Sequence, residues 1–364
     1  MTNTAGRDCI VVGGGLLGML TAYFLTREGL SVTLLEKQDV CRESSWAGGG
    51  ILSPLVPWDY PGAVSELVQW SQRYYPALVA ELQERSGVDP EWQQSGLLMM
   101  DTSLESGIRR WQAKYPCRIE QVEPGQMRQL EPGLAPVTKQ ALLLPDVAQV
   151  RNPRLCQALA ASLRMQGVVI REQVLVGGLR IAANAISGVM TDQGEFLSNR
   201  VVVAAGAWSA GLMGDLMPGL PVSPVRGQMI QFAASPGLLR HIVLADGRYL
   251  IPRRDGLMLA GSTLEYTGFE KQTTREARDT LAGFARQLLP GLNDCEIVNH
   301  WAGLRPGKTD GVPIIGEHPE IKGLYLNTGH FRNGVILAPA SVQLLLDIMM
   351  GRASFTEPDA YRLQ

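Results

Sequence analysis

The chain has 364 residues, 45% of them hydrophobic and 19% charged, a balance typical of a folded protein with a large core. Chains of this length usually form about two domains. The 33 basic and 35 acidic residues leave a net charge of -2, which excludes the strongly basic surface of a nucleic-acid-binding protein. The four histidines lack the spacing of metal ligands, so no metal site is expected.

The five cysteines form no CxxC pair and leave one residue over, which favours reduced thiols in the cytoplasm over a disulfide framework. An uncharged stretch from Cys9 to Thr26 is long enough to raise a membrane helix or a signal peptide as alternatives. It contains four glycines, however, and the one basic residue before it, Arg7, is followed by Asp8. A buried strand, a glycine turn and a helix explain the stretch better, so no transmembrane segment is expected.

The first predicted elements form a strand–helix–strand unit. Asp8–Val12 is a short apolar strand, and Leu16–Arg27 is an apolar helical stretch that Gly29 ends. Leu30–Glu36 is the second strand. The unit spans about 30 residues, the size of a βαβ crossover. Its apolar strands indicate a parallel sheet that is covered on both faces.

The rest of the chain mixes helices with short strands. Four strands between residues 229 and 260 are closely spaced and bounded by turn residues, which indicates an antiparallel sheet. The further helices are predicted over 63–87, 152–166, 274–289 and 334–350. The four closely spaced strands are predicted over 229–232, 242–244, 249–251 and 257–260, and the further strands over 168–176, 201–204 and 324–327, with one more strand that leads into Trp301–Arg305.

A glycine motif, Gly13-x-Gly15-x-x-Gly18, lies between the first strand and the first helix, and Glu36 ends the next strand. The first glycine makes the tight turn, the second lets the backbone approach a pyrophosphate, and the third allows close helix–strand packing. The helix N-terminus attracts phosphate, and Glu36 can accept hydrogen bonds from ribose hydroxyls. The motif therefore predicts a dinucleotide site. A P-loop at Gly307 is excluded, because no glycine stands five residues before it.

These elements predict an α/β fold, α+β overall, with two domains. A Rossmann-like dinucleotide-binding domain is expected to combine the segments 1–56, 145–215 and 301–364. An antiparallel-sheet domain that binds the substrate is expected to be inserted as the segments 57–144 and 216–300.

A second glycine-rich segment, Ser44–Gly50, follows soon after Glu36. Its small side chains and free N–H groups suit a second pass along the pyrophosphate and a flavin ring, which would distinguish FAD from NAD. Arg332-Asn333-Gly334 precedes the last helix, whose positive end would stabilise the charge of a reduced flavin. From local sequence alone, an ordinary glycine-rich loop and an ordinary polar helix cap are the alternatives.

Motifs along nearly the whole chain resemble those of one family. They are the N-terminal glycine motif, Glu36-Lys37, and the segments Ser44–Gly50, Ala204–Trp208, Ala302–Gly307 and Thr328–Gly334. On these motifs, which are specific when taken together, the sequence resembles the D-amino-acid oxidase superfamily of flavoproteins. Within it, the sequence is most similar to the glycine oxidase branch, which is associated with thiazole biosynthesis.

The resemblance implies FAD as the cofactor, with the backbone of Val174 at the adenine end and Gly329–Ile336 around the flavin pyrimidine ring. Binding is expected to be non-covalent, because no cysteine follows Cys295 and no histidine precedes His241. The implied cofactor-binding residues are Gly13, Gly14, Gly15, Leu16, Leu17, Gly18, Glu36, Lys37, Ser44, Ser45, Ala47, Gly48, Gly49, Gly50, Val174, Ala205, Gly206, Trp208, Arg305, Gly329, His330, Phe331, Arg332, Asn333, Gly334, Val335 and Ile336.

Three residues match the family's substrate-binding positions. Arg305 matches its carboxylate-binding arginine, and Tyr249 matches a tyrosine that also binds the carboxylate. Arg332 matches an arginine that is expected to accept the substrate amine through its backbone carbonyl. The residues alone agree on Arg305, because a guanidinium after a strand and before Pro306 is a rigid fork for a carboxylate. A surface arginine and a core tyrosine are the alternatives.

Three positions depart from the family's pattern. Ile51 and Leu264 are predicted to line the substrate pocket at positions where methionine occurs in the family, and Gly247 replaces a frequent histidine. These departures put the substrate preference in doubt rather than the chemistry.

The implied activity is FAD-dependent oxidative deamination of glycine, sarcosine or small D-amino acids. Hydride passes from Cα to the flavin, the imine hydrolyses to glyoxylate and ammonia, and O2 is reduced to hydrogen peroxide, with a link to thiazole (thiamine) biosynthesis. No motif places a general base at the substrate, so no catalytic base is expected. The alternatives are a D-amino-acid dehydrogenase that reduces a quinone and a non-catalytic FAD-binding subunit. The oligomeric state stays open, a homo-oligomer included.

Overall fold

The structure is a computed structural model that describes residues 7–100, 102–136 and 138–362. Parts of the predicted domain segments, at 1–6, 101, 137 and 363–364, lie outside the described residues. The α-helices, numbered in chain order, are α1 (Leu16–Arg27), α2 (Ser44–Ala47), α3 (Gly62–Ser86), α4 (Ser106–Lys114), α5 (Pro124–Leu130), α6 (Asn152–Met165), α7 (Ser209–Met213), α8 (Arg275–Leu288) and α9 (Gly334–Met350). The β-strands are β1 (Cys9–Val12), β2 (Val32–Leu35), β3 (Gln93–Gln94), β4 (Leu97–Met99), β5 (Glu120–Val122), β6 (Ala141–Leu144), β7 (Ala148–Gln149), β8 (Val169–Arg171), β9 (Val176–Ala182), β10 (Ala185–Thr191), β11 (Gly194–Leu197), β12 (Val201–Val203), β13 (Ser223–Ala233), β14 (Ile242–Ala245), β15 (Arg248–Pro252), β16 (Leu257–Gly261), β17 (Ile297–Gly307), β18 (Ile314–Glu317) and β19 (Leu324–Thr328).

A six-stranded sheet contains the first strand–helix–strand unit. Its order is β18-β19-β12-β1-β2-β8, and all neighbours are parallel except the antiparallel pair β18 and β19. The predicted unit is confirmed as β1, α1 and β2. Both strands are fully buried, because α1, α3, α6 and α9 cover one face while α7 and the sheet β9-β10-β11 cover the other.

An eight-stranded sheet, of order β17-β13-β16-β15-β14-β4-β6-β5, provides the predicted antiparallel strands. Its neighbours are antiparallel except for β14 and β4. Arg305 was predicted to follow a strand, but it lies inside β17, where it pairs with Val225 of β13. The ladder between β13 and β17 continues to Gly307, and it holds the Arg305 backbone more firmly than a loop would.

The two sheets draw on different segments of the chain. Every strand of the six-stranded sheet comes from the segments predicted for the dinucleotide-binding domain, and most strands of the eight-stranded sheet come from the inserted segments. We retain the two-domain division as a proposal that this membership supports. The predicted boundary at residue 301 falls within β17, so we propose that it follows Gly307 instead.

Two further predictions differ from the structure. The predicted strand 168–176 is divided into β8 and β9, because Gln173 has a positive φ and Val174 donates its N–H to the Glu36 carbonyl oxygen (N···O 2.9 Å). Cys41 and Cys156 form a disulfide between the loop after β2 and α6, so the expectation of reduced thiols is wrong for this pair.

One apolar segment among the described residues, Phe331–Met350, is long enough to cross a membrane. It is 67% buried inside the molecule, and α9 packs against α1, α3 and β18. The core helix of a globular domain has the same composition, so its apolarity is explained by the fold.

Candidate active site

A deep cavity lies between the carboxyl ends of β1, β2 and β12 and the face of the eight-stranded sheet. At one end, the turn between β1 and α1 leaves no room for side chains. A Cβ atom on Gly13 would overlap the Ala204 carbonyl oxygen, and one on Gly18 would overlap the Gly13 carbonyl oxygen. Gly15 and Leu16 at the start of α1 line the cavity, so the positive end of the helix faces it. This arrangement is suited to a phosphate group.

Charged side chains surround the same end of the cavity. The Glu36 carboxylate accepts N–H hydrogen bonds from Gly14 (2.6 Å) and Gln38 (3.0 Å), while burial raises its pKa. The Lys37 ammonium lies 3.2 Å from the centre of the Trp208 ring, and burial lowers the pKa of Lys37. A half-buried carboxylate directly after β2 is suited to accept hydrogen bonds from ribose hydroxyls.

The segment Ser44–Gly50 presents its backbone to the middle of the cavity. The Ser45 hydroxyl oxygen accepts the Leu16 N–H (2.8 Å), and the Ser45 carbonyl oxygen accepts the Asn152 amide (2.8 Å). Gly50 has φ +74°, and a Cβ atom there would overlap the Val150 carbonyl oxygen. The segment is therefore held by the starts of both α1 and α6, which leaves a close backbone surface for a flat ligand.

Two buried asparagines on the cavity wall indicate a polar ligand. Among the described residues, the two side-chain polar atoms of Asn327 have no hydrogen-bond partner. The side-chain nitrogen of Asn333, Nδ2, has none either. An unpaired buried amide costs about 1–3 kcal/mol, so these groups suit a ligand that would pair with them. His330 Nε2, by contrast, lies 2.9 Å from the Ser341 hydroxyl, and burial lowers the pKa of His330 to about 3. This histidine is therefore neutral at physiological pH.

Arg305 lies at the other end of the cavity. Its guanidinium donates to the Ser262 hydroxyl (2.8 Å) and the Thr263 carbonyl oxygen (3.2 Å), and a Cβ atom on Gly227 would overlap it. Burial lowers the pKa of Arg305, and the neighbouring Tyr249 hydroxyl opposes that shift. No described carboxylate lies within 4.0 Å of the guanidinium. A desolvated cation without a counter-ion on a cavity wall is suited to bind an anionic group of a ligand.

Tyr249 and Met229 form the side of the cavity next to Arg305. Both side chains are buried, and the Tyr249 hydroxyl lies 3.8 Å from the Met229 sulfur. Gly49 approaches this wall so closely that a Cβ atom on it would lie 3.4 Å from the Tyr249 ring and 3.7 Å from the Met229 methyl group. These contacts leave room for a small substrate beside the guanidinium.

Most of the predicted site residues are brought together in the wall of this one cavity. Those that line it are Gly13, Gly15, Leu16, Leu17, Glu36, Lys37, Ser44, Ser45, Ala47, Gly48, Gly49, Gly50, Ile51, Val174, Ala205, Gly206, Trp208, Tyr249, Arg305, His330, Phe331, Arg332, Asn333, Gly334 and Val335.

Five predicted residues do not line the cavity. Gly14 and Gly18 build the turn behind it, Gly329 turns the chain after β19 with φ +80°, and Ile336 is buried in the helical core. Leu264 follows β16, is 45% exposed to solvent and is absent from the cavity wall. The structure therefore does not bring Leu264 into the substrate pocket.

Sequence reasoning missed four residues that shape the site: Asn327, Gly227, Met229 and Ser262. Asn327 had a local signal, because it is a polar residue at the carboxyl end of an otherwise apolar strand. The other three come from β13 and from the turn after β16, and only the pairing of these strands with β15 and β17 brings them to Arg305 and Tyr249.

The fold and the site together define a dinucleotide-binding oxidoreductase of the flavoprotein class. FAD fits the residues present, with the α1 turn for its pyrophosphate, Glu36 for a ribose, and the unpaired Asn327 and Asn333 amides for the polar edge of the ring system. A family model described as FAD dependent oxidoreductase (DAO) matches residues 8–348. The chain belongs to this family, which confirms the predicted cofactor, FAD.

Individual relatives agree in sequence and in structure. The chain is 46% identical to a protein named glycine oxidase from Pseudomonas aeruginosa, over 97% of each chain. It is 31% identical to a protein from Synechocystis sp. named bifunctional protein ThiO/ThiG, over 94% of this chain and 51% of that one. The crystal structure of glycine oxidase from Geobacillus kaustophilus is similar with a TM-score of 0.92 and 29% identity over 99% of each chain. These matches confirm the predicted fold class.

Proposed function

We propose that this protein is an FAD-dependent glycine oxidase. It oxidises glycine or a similarly small amino acid to the imine, which water converts to glyoxylate and ammonia in the case of glycine, and O2 takes up the electrons to form hydrogen peroxide. The 46% identical glycine oxidase of P. aeruginosa supports this substrate class. The name of the Synechocystis relative, ThiO/ThiG, supports the link to thiazole formation that the resemblance implies.

The observation that carries the proposal is the Arg305 guanidinium, which has neutral hydrogen-bond partners but no carboxylate partner among the described residues. Amino-acid substrates share a carboxylate, and bidentate binding to a guanidinium fixes the carboxylate in position and in orientation. The Glu265 carboxylate, whose charge favours the Arg305 cation, is already paired with Arg226 and Gln228. The substrate carboxylate is therefore the natural partner of Arg305.

The other residues of the cavity wall near Arg305 fit a small substrate, which they orient without taking part in proton transfer. When bound, FAD supplies the acceptor for the hydride of the substrate Cα. Tyr249 lies beside Arg305 and is suited to donate a hydrogen bond to the same carboxylate, while Met229, Gly49 and Ile51 limit the size of the substrate side chain. We propose that Arg332 lies next to the substrate amine, as the resemblance implies.

No catalytic base is required in this proposal. The carboxylates of the described cavity wall are Glu36 and Glu43, and they lie near the α1 turn and Lys271 rather than near Arg305. His330 is buried, neutral and hydrogen-bonded to Ser341. The neutral substrate amine then provides the electron pair that drives hydride loss. Non-covalent FAD, a cytoplasmic location and a homo-oligomeric state stay predictions.

The direct test measures products with a panel of substrates. The purified holoenzyme is incubated with glycine, sarcosine, D-alanine, D-phenylalanine and L-alanine in aerated buffer, and peroxide, ammonia and the oxo acid are quantified. We expect equal amounts of the three products from glycine and little turnover of D-phenylalanine. Dye or quinone reduction without peroxide would make the enzyme a dehydrogenase, and no turnover of any amino acid would contradict the proposal. The absorbance of flavin in the supernatant after acid precipitation tests non-covalent binding.

A further inference from the structure

Arg253 is a buried arginine that directly follows strand β15 and lies outside the carboxylate site. Its guanidinium donates three hydrogen bonds, to the Gly49 carbonyl oxygen (2.9 Å), the Val150 carbonyl oxygen (3.0 Å) and the Gln149 side-chain oxygen (2.6 Å). All three acceptors are neutral. Burial lowers the pKa of Arg253 to about 10, so it remains charged at physiological pH. A buried cation with such partners costs free energy to desolvate, which calls for a role in the site.

The three acceptors belong to two segments that meet at the cavity. Gly49 lies in the glycine-rich segment Ser44–Gly50, which lines the cavity. Gln149 ends β7 and Val150 directly follows it, and Val150 donates its N–H to the Gly50 carbonyl oxygen (2.9 Å). The guanidinium therefore joins the glycine-rich segment to the end of β7, which packs against that segment.

The same strand that leads to Arg253 also carries the tyrosine of the substrate site. Alternate residues of a strand face the same side, so Tyr249 and Ile251 face the side of β15 that Arg253 continues. A Cβ atom on Gly49 would lie 2.6 Å from Ile251 Cδ1 and 3.4 Å from the Tyr249 ring. Tyr249 and Ile251 thus pack against Gly49, and Arg253 binds its carbonyl oxygen.

We infer that Arg253 is a positioning residue, which sets the distance between the substrate site and the flavin by fixing Gly49 against Tyr249. The inference rests on the proposed function, because it assigns Arg253 a part in placing the substrate Cα for hydride transfer. A planar fork reaches three acceptors at once, and a lysine ammonium at the same position cannot reproduce that geometry. Displacing a reacting group by about 1 Å can lower a rate by up to ~10²-fold.

The test compares Arg253→Lys with Arg254→Lys in the FAD-loaded enzyme. Arg254 is the adjacent arginine, but it is half-exposed and paired with Asp89 (3.0 Å). Four quantities are measured: the rate of anaerobic flavin reduction by saturating glycine, the visible circular dichroism of bound flavin, the Kd of FAD, and the Kd of acetate as a carboxylate that cannot be deaminated. For R253K we expect about 10-fold slower reduction and an altered flavin spectrum, with both Kd values within about threefold of the original. R254K should change none of the four.

A reduction rate and a flavin spectrum in R253K equal to those of the original enzyme would overturn the inference. A slower reduction and an altered spectrum together with an equally large weakening of FAD and acetate binding would also overturn it, because Arg253 would then support the fold in general. Gln149→Met provides a second variant, which keeps the arginine and its bond to Gly49 but removes one acceptor of the arginine. It also removes the hydrogen bonds that the Gln149 amide donates to the Ser95 hydroxyl and to the Pro252 carbonyl oxygen. It should alter the flavin spectrum in the same direction and by less, and an unchanged spectrum would count against the inference even if R253K does not fold. Failure of glycine to reduce the original enzyme would contradict the proposed function, and the flavin spectrum and the acetate Kd would still test Arg253.

Discussion

The two ends of the cavity are built in different ways. At the dinucleotide end, the surface is mainly backbone: the turn at Gly13–Gly18 and the segment Ser44–Gly50, where a Cβ atom on Gly13, Gly18 or Gly50 would overlap a carbonyl oxygen. At the substrate end, the surface is made of side chains, Arg305, Tyr249 and Met229, which come from three strands of the eight-stranded sheet. The first end recognises a constant ligand by shape and by N–H groups, whereas the second recognises one functional group by charge.

The comparison teaches where changes can be tolerated. At Gly13, Gly18 and Gly50 the backbone surface cannot accept a side chain, because the overlapping atoms belong to the main chain and cannot move aside. A side-chain surface can be altered by degrees, because each group contributes separately to binding and to placement. We therefore expect substitutions at the dinucleotide end to decide whether FAD is retained, and those at the substrate end to decide how fast the substrate reacts.

The largest expected effect is that of Gly18→Ala. Its Cβ atom would overlap the Gly13 carbonyl oxygen, which would push α1 away from the turn, so we expect the protein to be purified without FAD. Flavin absorbance per protein and the Kd of added FAD are the measurements. Gly283→Ala is the control, because a Cβ atom at this position in α8 would meet no atom within 4 Å. FAD retained at full occupancy in G18A would show that the turn is more adaptable than this account allows.

Next is the loss of the guanidinium in Arg305→Ala. Breaking a desolvated charge pair costs about 3–5 kcal/mol, so kcat/KM for glycine should fall by roughly 10²–10³-fold. Arg305→Lys should restore only part of this, because an ammonium lacks the planar fork. Both variants should retain FAD. Steady-state peroxide assays measure kcat/KM, and flavin absorbance measures the bound FAD. A near-normal kcat/KM in the alanine variant would mean that the substrate carboxylate binds to a residue other than Arg305.

A sharper form of the same test leaves the arginine in place. In Gly227→Ala, the new Cβ atom would overlap the guanidinium and displace it from the wall. We expect kcat/KM to fall by about 10–10²-fold, in line with misplacement of a binding group, while FAD is retained. A variant with unchanged kinetics would mean that the position of Arg305 in the structure is not the one that binds substrate.

A smaller effect is expected for Glu36→Ala at the dinucleotide end. Loss of a charged acceptor for ribose hydroxyls should weaken FAD binding by about 1.5–3 kcal/mol. Burial raises the pKa of Glu36, so in the original protein FAD affinity should decline as the pH is lowered and the carboxylate takes up a proton. FAD titrations across a pH series measure both effects, with Glu28→Ala, which removes a surface ion pair to Arg352, as the control. An E36A variant with the same pH dependence as the original would remove Glu36 from this role.

The smallest effect is expected for Tyr249→Phe. A hydroxyl that only orients the carboxylate contributes about 1 kcal/mol, or roughly fivefold in rate, whereas loss of a general base typically costs ~10²–10⁴-fold. Single-turnover flavin reduction with glycine and α-deuterated glycine across a pH series measures this. We expect a deuterium effect, faster reduction as the amine deprotonates, and near-normal rates in Y249F. A thousandfold loss would make Tyr249 the base.

The sequence predicted the dinucleotide end of the cavity better than the substrate end, because the two ends are built from different parts of the chain. The glycine turn, β1, α1, β2 and Glu36 are consecutive, so spacing and periodicity reveal them. Arg305 and Tyr249 were predicted by resemblance, while Ser262, Met229 and Gly227 carry no local signal, because only strand pairing brings them to the cavity. Leu264 was predicted at the pocket, but the course of the chain after β16 directs it to solvent. The Cys41–Cys156 pairing joins residues that are 115 positions apart, which an odd cysteine count could not predict.

The most direct test of the account compares glycine with methylamine, which also has a C–H bond next to its amine but no carboxylate. Stopped-flow measurements without oxygen follow the loss of oxidised flavin absorbance in the original enzyme and in Arg305→Ala. We predict rapid reduction by glycine, negligible reduction by methylamine, and slow reduction of the variant by both at similar rates. Equal reduction of the original enzyme by glycine and by methylamine, or none by glycine, would contradict the claim that Arg305 places an amino-acid carboxylate for oxidation by FAD.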